Sequence, residues 1–571
     1  MKRRHIALLA ATTIGWTTPG VALAQGRGPA DATARCTALA RLKLPDTAIA
    51  SATLVPAKPD EATITGDVPG YPSFCRVVAR VRSEPGSDVG VELWLPAQGW
   101  TGVFHGNGSG GFAGTFALGY SGMVEGLRRG FATATTDAGT APATPLEGDA
   151  LIGQPRKWRD WGRLSTHAMT TTGKAITRAF YGKEVRRSYY TGCSTGGQMG
   201  LIEALYYPGD YDGILVGAPV MNRTWGHAAV LWNYAAANRA PGHLLSEAKL
   251  KLLNKAAIAT CWRQGHGLAG DPFISDPMRC SFDPKILQCK GTSSDSCLTE
   301  GEVETARAFY SGPTDRDGKP TYYGWLPGSE MPDTFGWSFL QKPINDQPPF
   351  GALFKWVFGA NWDWKGFAFD RDMPAVDARL DGIVNDATRG SLAAFAARGG
   401  KLIVYHGLAD TLVAPGQSVA FFDRHAAQIG GTARLADSAR LFLAPGMMHC
   451  GGGTGPDAFN TTLGIPPRPP SEDARHDLFS ALIAWADRGE APDRIVATKF
   501  SIDEAGRIAM QRPLCPYPKQ AVYEGTGSTR AASNFRCETL PVRVDMTSGG
   551  QTNSHRTTAS GNPGGPAERL K

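Results

Sequence analysis

Short β-prone runs alternate with longer segments of helical periodicity in two stretches of this chain. Runs such as 401–405 are almost continuously apolar and lead into loops, which is typical of buried strands in a parallel sheet. In 165–180 the apolar positions recur at the spacing of an amphipathic helix. The pattern predicts an α/β protein. The predicted strands are 89–95, 102–104, 131–136, 185–191, 401–405 and 439–443, and the predicted helices are 165–180, the segment from Met199, and 478–485.

The alternation stops between about residues 221 and 394. Pro- and Gly-rich loops with short helical pieces fill this segment, which holds four of the ten cysteines and eight of the 14 tryptophans. We therefore expect a separate insert between two parts of one core. The predicted units are the first core part at 25–220, the insert at 221–394 and the second core part at 395–545.

The two ends of the chain have compositions of their own. Residues 1–24 resemble a secretory signal: three basic residues, an apolar run over 6–16, and Ala22-Leu-Ala24 before the predicted cleavage. A membrane anchor is the alternative, but the run is far shorter than the ~20 residues of a membrane span. The sequence thus predicts a secreted or periplasmic protein, with Sec or twin-arginine export left open. The tail at 546–571 is rich in Ser, Thr, Gly, Asn and Pro, which is typical of disorder.

Composition excludes several classes of protein. Apolar residues make up 42% and charged residues 19%, as in globular proteins. Removing 1–24, which holds three basic and no acidic residues, lowers the formal charge from +7 to +4. Because the charge is mild and no Lys/Arg block stands out, we expect no nucleic-acid partner, and no membrane partner either. An even number of cysteines in an exported chain predicts disulfides. Sequence leaves their connectivity open, and no Cys-x2-Cys pair with partner histidines suggests zinc.

The strongest chemical candidate is Ser194 in Gly192-Cys-Ser-Thr-Gly196. The pentapeptide alone is weak evidence, but it follows a predicted strand and precedes a predicted helix, as a nucleophile elbow requires. Upstream, the glycine-dense turn 106–114 lets backbone N–H groups approach a ligand. We expect an oxyanion hole from the Thr195 N–H and one N–H of Gly110 or Gly111.

An acid and a base follow downstream in the order found in α/β-hydrolases. Asp410 stands just past the strand 401–405, where such a sheet places catalytic groups, although a turn or helix-capping aspartate is the simpler interpretation. His449 follows the strand 439–443 and a Pro-Gly turn, and its simpler interpretation is a loop histidine. His406 competes as the base but falls at the strand end just before the acid. In the predicted mechanism His449 deprotonates Ser194 and Asp410 orients the imidazole.

Two cysteines flank these residues, Cys193 before Ser194 and Cys450 after His449. A disulfide holds two Cα atoms roughly 4.4–6.8 Å apart, and each neighbouring residue adds about 3.8 Å. If the two cysteines pair, Ser194 and His449 lie within roughly 14 Å at the Cα level, although 255 positions separate them.

With these residues the chain resembles the tannase and feruloyl esterase family, which also contains a hydrolase of mono(2-hydroxyethyl) terephthalate. The likeness runs from about Cys36 to Cys537 and rests on four motifs. These are Gly192-Cys-Ser-Thr-Gly-Gly197, Asp212-Gly-Ile-Leu-Val-Gly-Ala-Pro219, His406-Gly-Leu-Ala-Asp410, and Leu441-Phe-Leu-Ala-Pro-Gly-Met-Met-His-Cys-Gly-Gly452.

The resemblance implies an α/β-hydrolase fold with a large inserted lid, which matches the tryptophan-rich insert. It also implies that Ser194, Asp410 and His449 are catalytic. The disulfides it implies are Cys193–Cys450, Cys36–Cys75, Cys261–Cys280, Cys289–Cys297 and Cys515–Cys537.

The same resemblance raises the question of a structural calcium ion in the lid. Many family members hold calcium in the lid through aspartates one, four and eight residues after the first lid cysteine. Here Trp262 takes the first of these positions and only Asp271 remains as a clear ligand candidate. The sequence therefore weighs against calcium, and no other cofactor is required. Gln198 stands where the family commonly has Arg.

The leading hypothesis is an exported serine esterase acting on small esters of aromatic carboxylic acids, of feruloyl, galloyl or terephthalate monoester type. Alternatives are a hydrolase of aliphatic esters or peptides, and a non-catalytic binding protein on the same fold. Lid aromatics are candidates to line the acyl pocket, although core packing is the commoner role for any one of them. The candidates are Trp232, Trp356, Trp362 and Trp364. The sequence does not indicate an oligomeric state.

Overall fold

The structure is a computed structural model that describes residues 29–63, 66–331, 335–462 and 467–539. The predicted signal peptide at 1–24 and the predicted tail at 546–571 lie outside the described residues. Within the described ranges, no helix is long and apolar enough to span a bilayer.

A twisted sheet of nine strands forms the centre of the molecule, and three two-stranded sheets accompany it. The strands are β1 (Thr47–Val55), β2 (Glu61–Thr63), β3 (Gly66–Val68), β4 (Phe74–Val81), β5 (Val89–Pro96), β6 (Val103–Asn107), β7 (Ala132–Thr136), β8 (Arg187–Cys193), β9 (Gly213–Gly217), β10 (Lys401–Gly407), β11 (Ala439–Ala444), β12 (Ile495–Phe500), β13 (Ile508–Leu514), β14 (Lys519–Tyr523) and β15 (Phe535–Thr539). The large sheet has the order β1-β4-β5-β7-β6-β8-β9-β10-β11.

The two halves of the large sheet differ in direction. Antiparallel pairing joins β1 to β4, β4 to β5, and β5 to β7. From β7 onward every neighbouring pair is parallel. This is the α/β-hydrolase arrangement that the sequence predicted, with the carboxyl ends of β8, β10 and β11 at one edge.

Helices cover both faces of the sheet. The α-helices are α1 (Pro29–Ala38), α2 (Tyr120–Arg128), α3 (Pro155–Arg159), α4 (Ser165–Tyr181), α5 (Thr195–Tyr206), α6 (Arg223–Asn238), α7 (Glu247–Arg263), α8 (Glu300–Ser311), α9 (Trp337–Leu340), α10 (Ala352–Phe358), α11 (Phe369–Val384), α12 (Ala393–Ala397), α13 (Gly416–Ile429), α14 (Thr432–Leu435) and α15 (Leu478–Arg488). β7 and β9 are buried along their whole length, and their sequences are continuous runs of small or apolar residues.

Sequence analysis assigned no element to 25–88, and the structure corrects this. β1 and β4 lie there and extend the sheet at its antiparallel edge. β1 has no fully buried residue and alternates between half-buried and exposed positions. An edge strand of this kind lacks the apolar run that marked the central strands.

Between residues 221 and 394 the described part of the chain forms helices and loops, and adds no strand to the large sheet. α6 to α9 share an apolar core centred on Leu250, Phe309 and Trp337, whereas α10 and α11 pack into the core that includes the large sheet. The first turn of α6 contacts the start of α5, through hydrogen bonds from Arg223 to Thr195 and Gln198.

All ten cysteines are paired, and no free cysteine is found among the described residues. The pairs are those that the family resemblance implied: Cys36–Cys75, Cys193–Cys450, Cys261–Cys280, Cys289–Cys297 and Cys515–Cys537. Such a set is typical of proteins that fold in oxidising compartments.

Candidate active site

Ser194 occupies a sharp turn between β8 and α5. Its backbone is in a region that L-residues rarely adopt, with φ 61° and ψ −121°. The Ser194 N–H donates to the Gly217 carbonyl at 3.0 Å, which anchors the turn on the neighbouring strand. A Cβ at Gly192 would lie 2.6 Å from the Gly196 carbonyl oxygen, so the close approach of strand and helix requires glycine. The strained turn presents the serine at the carboxyl end of the sheet.

Asp410 and His449 form a hydrogen-bonded pair at the same edge. His449 Nδ1 lies 2.8 Å from Asp410 Oδ2, and both side chains are buried. The other oxygen, Asp410 Oδ1, accepts the N–H groups of Leu412 and Val413 at 2.8 and 3.0 Å. With Nδ1 donating to the carboxylate, His449 has Nε2 available as a proton acceptor.

The carboxyl group of Asp410 stays ionised despite complete burial. Burial by itself raises its pKa, but the charge and hydrogen bonds of His449 and His406 outweigh burial and hold the pKa well below its usual range. A permanently charged carboxylate is the group that stabilises an imidazolium during catalysis.

His406, the competing base, has a structural position. Its ring is fully buried, with Nδ1 2.8 Å from Ser418 Oγ and Nε2 2.9 Å from the Val413 carbonyl. Nε2 also lies 3.3 Å from Asp410 Oδ2. His406 therefore supports the acid and its loop from behind, whereas His449 lines the cavity that Ser194 lines.

The disulfide Cys193–Cys450 ties the two ends of the site together. Its Cα atoms are 6.0 Å apart although 257 positions separate the cysteines. Each cysteine is the immediate chain neighbour of Ser194 or His449. The bridge thus joins the end of β8 to the loop after β11 directly beside Ser194 and His449.

The predicted oxyanion groups lie side by side. Thr195 is the first residue of α5, so its N–H has no acceptor within the helix. The hydroxyl of Thr195 donates to the Gly111 carbonyl at 2.8 Å and holds the glycine turn against the helix start. Gly111 has φ +53°, and a Cβ there would lie 1.8 Å from the Pro145 carbonyl oxygen. Within the described ranges, no hydrogen bond engages the N–H of Gly110 or Gly111.

These groups open into one cavity of about 500 Å³. Four aromatic rings contribute to its walls, Phe112 and Trp161 from the core part and Phe335 and Phe350 from the helical part. Ser194, Thr195 and His449 lie at its base with Gly110 and Gly111. A volume of this size matches a small organic ligand, and ring-lined walls favour an aromatic one.

The four tryptophans proposed for substrate binding are not among the residues that line this cavity. Trp356 lies behind the wall, where it stacks on Trp158 and its Nε1 donates to the Gly148 carbonyl at 3.0 Å. Trp232 packs on Phe369, Trp362 on Phe354, and Trp364 on Tyr234. The expectation that these four line the pocket is therefore corrected: Trp232, Trp362 and Trp364 have ring partners inside the helical part, and Trp356 packs on the core part. Among the described residues, Trp161, outside the predicted lid, is the tryptophan that lines the cavity.

Sequence reasoning also missed Arg223 at the cavity wall. Its Nε donates to Gln198 Oε1 at 2.8 Å and its Nη2 to Thr195 Oγ1 at 3.1 Å, while the guanidinium stacks 3.9 Å from the Trp161 ring. No ion pair with an acid is found for it among the described residues. Burial lowers its pKa to about 9, so it is a cation at neutral pH. The sequence offered one signal for this arrangement: Gln198, the hydrogen-bond partner of Arg223, departs from the family pattern.

His227 stands near Arg223 and also lines the cavity. Burial, and then the charge of Arg223, lower the pKa of His227 to about 3. The imidazole is therefore neutral at neutral pH, which leaves Arg223 as the buried charge on this wall.

The residues around Asp271 do not suit a calcium ion. Both carboxylate oxygens of Asp271 accept from Arg512 Nη2, at 2.8 and 2.9 Å, and both side chains are buried. Trp262, at the first ligand position, is half exposed and offers no oxygen ligand. A guanidinium thus supplies the positive charge beside the one remaining aspartate.

Comparisons with known proteins identify the family. The family described as tannase and feruloyl esterase matches residues 75–538. An uncharacterized esterase of Xanthomonas campestris is 35% identical over 549 residues, covering 90% of this chain and 92% of the relative. Mono(2-hydroxyethyl) terephthalate hydrolase of Piscinibacter sakaiensis is 31% identical over 550 residues, covering 84% and 87%.

The fold has close counterparts among solved structures. Feruloyl esterase B from Aspergillus oryzae superposes with a TM-score of 0.78 at 26% identity, covering 89% of this chain and 100% of that one. The agreement extends over nearly the whole described chain.

Proposed function

Because the chain belongs to the tannase and feruloyl esterase family of carboxylic ester hydrolases, we propose that it hydrolyses esters of aromatic carboxylic acids through Ser194, His449 and Asp410. The observation that carries the proposal is the hydrogen-bonded pairing of His449 with Asp410, together with the cavity that both His449 and Ser194 line. The substrate is a small ester, of feruloyl, galloyl or terephthalate monoester type.

In the proposed reaction, His449 Nε2 takes the Ser194 proton as Oγ attacks the ester carbonyl carbon. The Thr195 N–H, with Gly110 or Gly111, stabilises the negative charge on the carbonyl oxygen. His449 then gives the proton to the leaving alkoxide, and the alcohol departs. Water repeats these steps on the acyl-enzyme and releases the carboxylic acid. Asp410 keeps its charge throughout and stabilises the imidazolium.

We further propose that the enzyme is exported and acts without a cofactor. Its five disulfides support an extracellular or periplasmic location. The ion pair of Asp271 with Arg512 supports a lid that needs no calcium. Unchanged activity and thermal stability after calcium-specific chelation would agree; a loss of either that calcium restores would contradict it.

A fluorophosphonate probe tests the nucleophile. We expect it to label the wild type but not Ser194→Ala. Ser188→Ala, at the opposite end of β8, is the matched control and should label like the wild type. Absence of labelling in the wild type would contradict the enzyme mechanism and favour a binding protein.

A substrate panel tests the ester class. Hydrolysis rates on feruloyl, galloyl, terephthalate monoester and short-chain acyl esters, together with a peptide, should favour the aromatic acids by at least about tenfold in kcat/KM. Equal or higher rates on the short acyl esters would instead assign the enzyme to aliphatic substrates.

A further inference from the structure

A second cluster of ionisable side chains lies away from the catalytic cavity. His167 on α4, Glu203 on α5 and Asp210 in the loop before β9 converge there, and we call them the α4–α5 cluster. Glu203 stands nine positions after Ser194 along α5, about 13 Å along the helix axis. The mechanism proposed above uses none of the three.

The three side chains are close enough to share one ligand. One nitrogen or oxygen atom from each lies within 4.8 Å of the other two. His167 Nδ1 is 2.6 Å from Asp210 Oδ2. The Tyr207 ring stacks on the imidazole at 4.0 Å between centroids and holds that nitrogen toward the acids.

Glu203 is the unusual member of the cluster. Its side chain is completely buried, and no group of the described residues donates a hydrogen bond to either carboxyl oxygen. Burial and the neighbouring Asp210 carboxylate raise the pKa of Glu203 well above its usual range. Buried carboxyl groups are nearly always hydrogen-bonded or paired, because losing water without a replacement is costly. Glu203 faces His167 and Asp210, so whatever satisfies it lies within the α4–α5 cluster.

Lys174 lies near the cluster but does not pair with Glu203. Lys174 Nζ donates to the backbone carbonyl of Asp210, and no ion pair joins it to Glu203 among the described residues. Its charge acts on Glu203 only from a distance. Two acidic side chains therefore face one partly exposed imidazole, and no cationic side chain of the described residues binds between them.

We propose that His167, Glu203 and Asp210 bind one divalent transition-metal cation of the zinc type. Imidazole nitrogen with carboxylate oxygens suits zinc better than calcium or magnesium, which take oxygen ligands. Ligand atoms about 2.0–2.2 Å from an ion lie roughly 3.3 Å apart, so small rotations of His167 and Asp210 suffice. Both of these side chains are partly exposed, which gives the ion a path from solvent.

Such an ion would join α4 to α5, the helix that begins at the nucleophile elbow. It lies too far from Ser194 to contact substrate. We therefore expect it to stabilise the fold and leave the ester hydrolysis rate at 25 °C unchanged.

The test uses the full exported chain without a histidine tag, stripped with a chelator and dialysed against zinc. Elemental analysis should find about one zinc per chain, and the unfolding temperature should rise by at least about 3 °C. Calcium should produce neither effect. Glu203→Gln keeps the shape but removes the ligand charge, and should lose both effects. Glu184→Gln, an exposed glutamate near the end of α4, is the matched control and should behave like the wild type.

Two results would contradict the proposed metal site at the α4–α5 cluster. The first is wild type with less than about 0.1 zinc per chain and an unmoved unfolding temperature; Glu203 would then be a protonated carboxyl sharing its proton with Asp210. The second is a zinc content that survives in Glu203→Gln, because the ion would then lie elsewhere. If Glu203→Gln fails to fold, His167→Gln at the partly exposed position provides the same comparison.

Discussion

The sheet edge and the helical part at 221–394 contribute to one cavity by different means. Ser194, Asp410 and His449 are placed by strand ends, by backbone hydrogen bonds and by the disulfide Cys193–Cys450. The helical part contributes Phe335, Phe350 and Arg223, which are held chiefly by side-chain packing and side-chain hydrogen bonds.

We therefore expect the sheet edge to determine the rate of the chemical step and the helical part to determine which ester binds. Backbone contacts at strand ends fix positions closely, so changes there are expected to lower kcat on every ester. Side-chain packing tolerates change at lower cost, so changes in the wall are expected to alter KM and the choice of substrate. Four variants, each with a control, test this division.

The largest effect is expected from the acid at the sheet edge. Asp410→Asn keeps the size of the side chain but loses the charge that orients His449, and kcat should fall by about 10⁴ on all esters. Steady-state kinetics on an aromatic and an acetyl ester measure this. Asp423→Asn, on α13 and outside the cavity, is the control. A loss below tenfold would remove Asp410 from the mechanism.

Removing the bridge should have the next largest effect. With Cys193→Ser and Cys450→Ser together, Ser194 and His449 lose their covalent connection, and a displacement near 1 Å costs about 10² in kcat. Circular dichroism should show that the fold remains. The double variant Cys515→Ser and Cys537→Ser removes a distant bridge and should keep its kcat. Full activity without Cys193–Cys450 would make that bridge merely structural.

Substitution of Arg223 tests whether this residue acts with the sheet edge, through Thr195, or with the cavity wall that recognises substrate. Arg223→Gln removes the donor to Thr195 Oγ1, so the oxyanion turn loosens and kcat should fall about 20-fold, less than the roughly 10²–10³ of a lost oxyanion donor. The loss should be equal for neutral and for carboxylate-bearing esters, and Arg223→Lys should restore it only in part. A change confined to the KM of one ester class would place Arg223 with the recognition wall instead.

The smallest effect is expected from a wall ring. Phe350→Ala removes aromatic contact area in the cavity, and KM for an aromatic ester should rise about fivefold while KM for an acetyl ester changes little. Phe358→Ala, at a partly exposed position outside the cavity, is the control. An equal loss of kcat on both esters would contradict the division.

Much of the catalytic end was predictable from sequence because its signals are local. A buried strand appears as an apolar run, as in β10, and a sharp strand-to-helix turn needs glycines at fixed offsets around Ser194. Asp410 was found for the same reason, since it follows its strand directly. β1 was not predicted because, as an edge strand, it has no continuous apolar run.

The sequence by itself determined the α/β architecture, the strained serine turn, and the acid and histidine at the strand ends. Only the tertiary structure decided which rings line the cavity, that Arg223 donates a hydrogen bond to Thr195, and that Glu203 meets His167 and Asp210. The physical reason is that backbone geometry depends on residues within a few positions, whereas side-chain partners come from elements far apart in the chain. A tryptophan has the same sequence signature whether it packs inside the helical part, like Trp364, or lines the cavity, like Trp161.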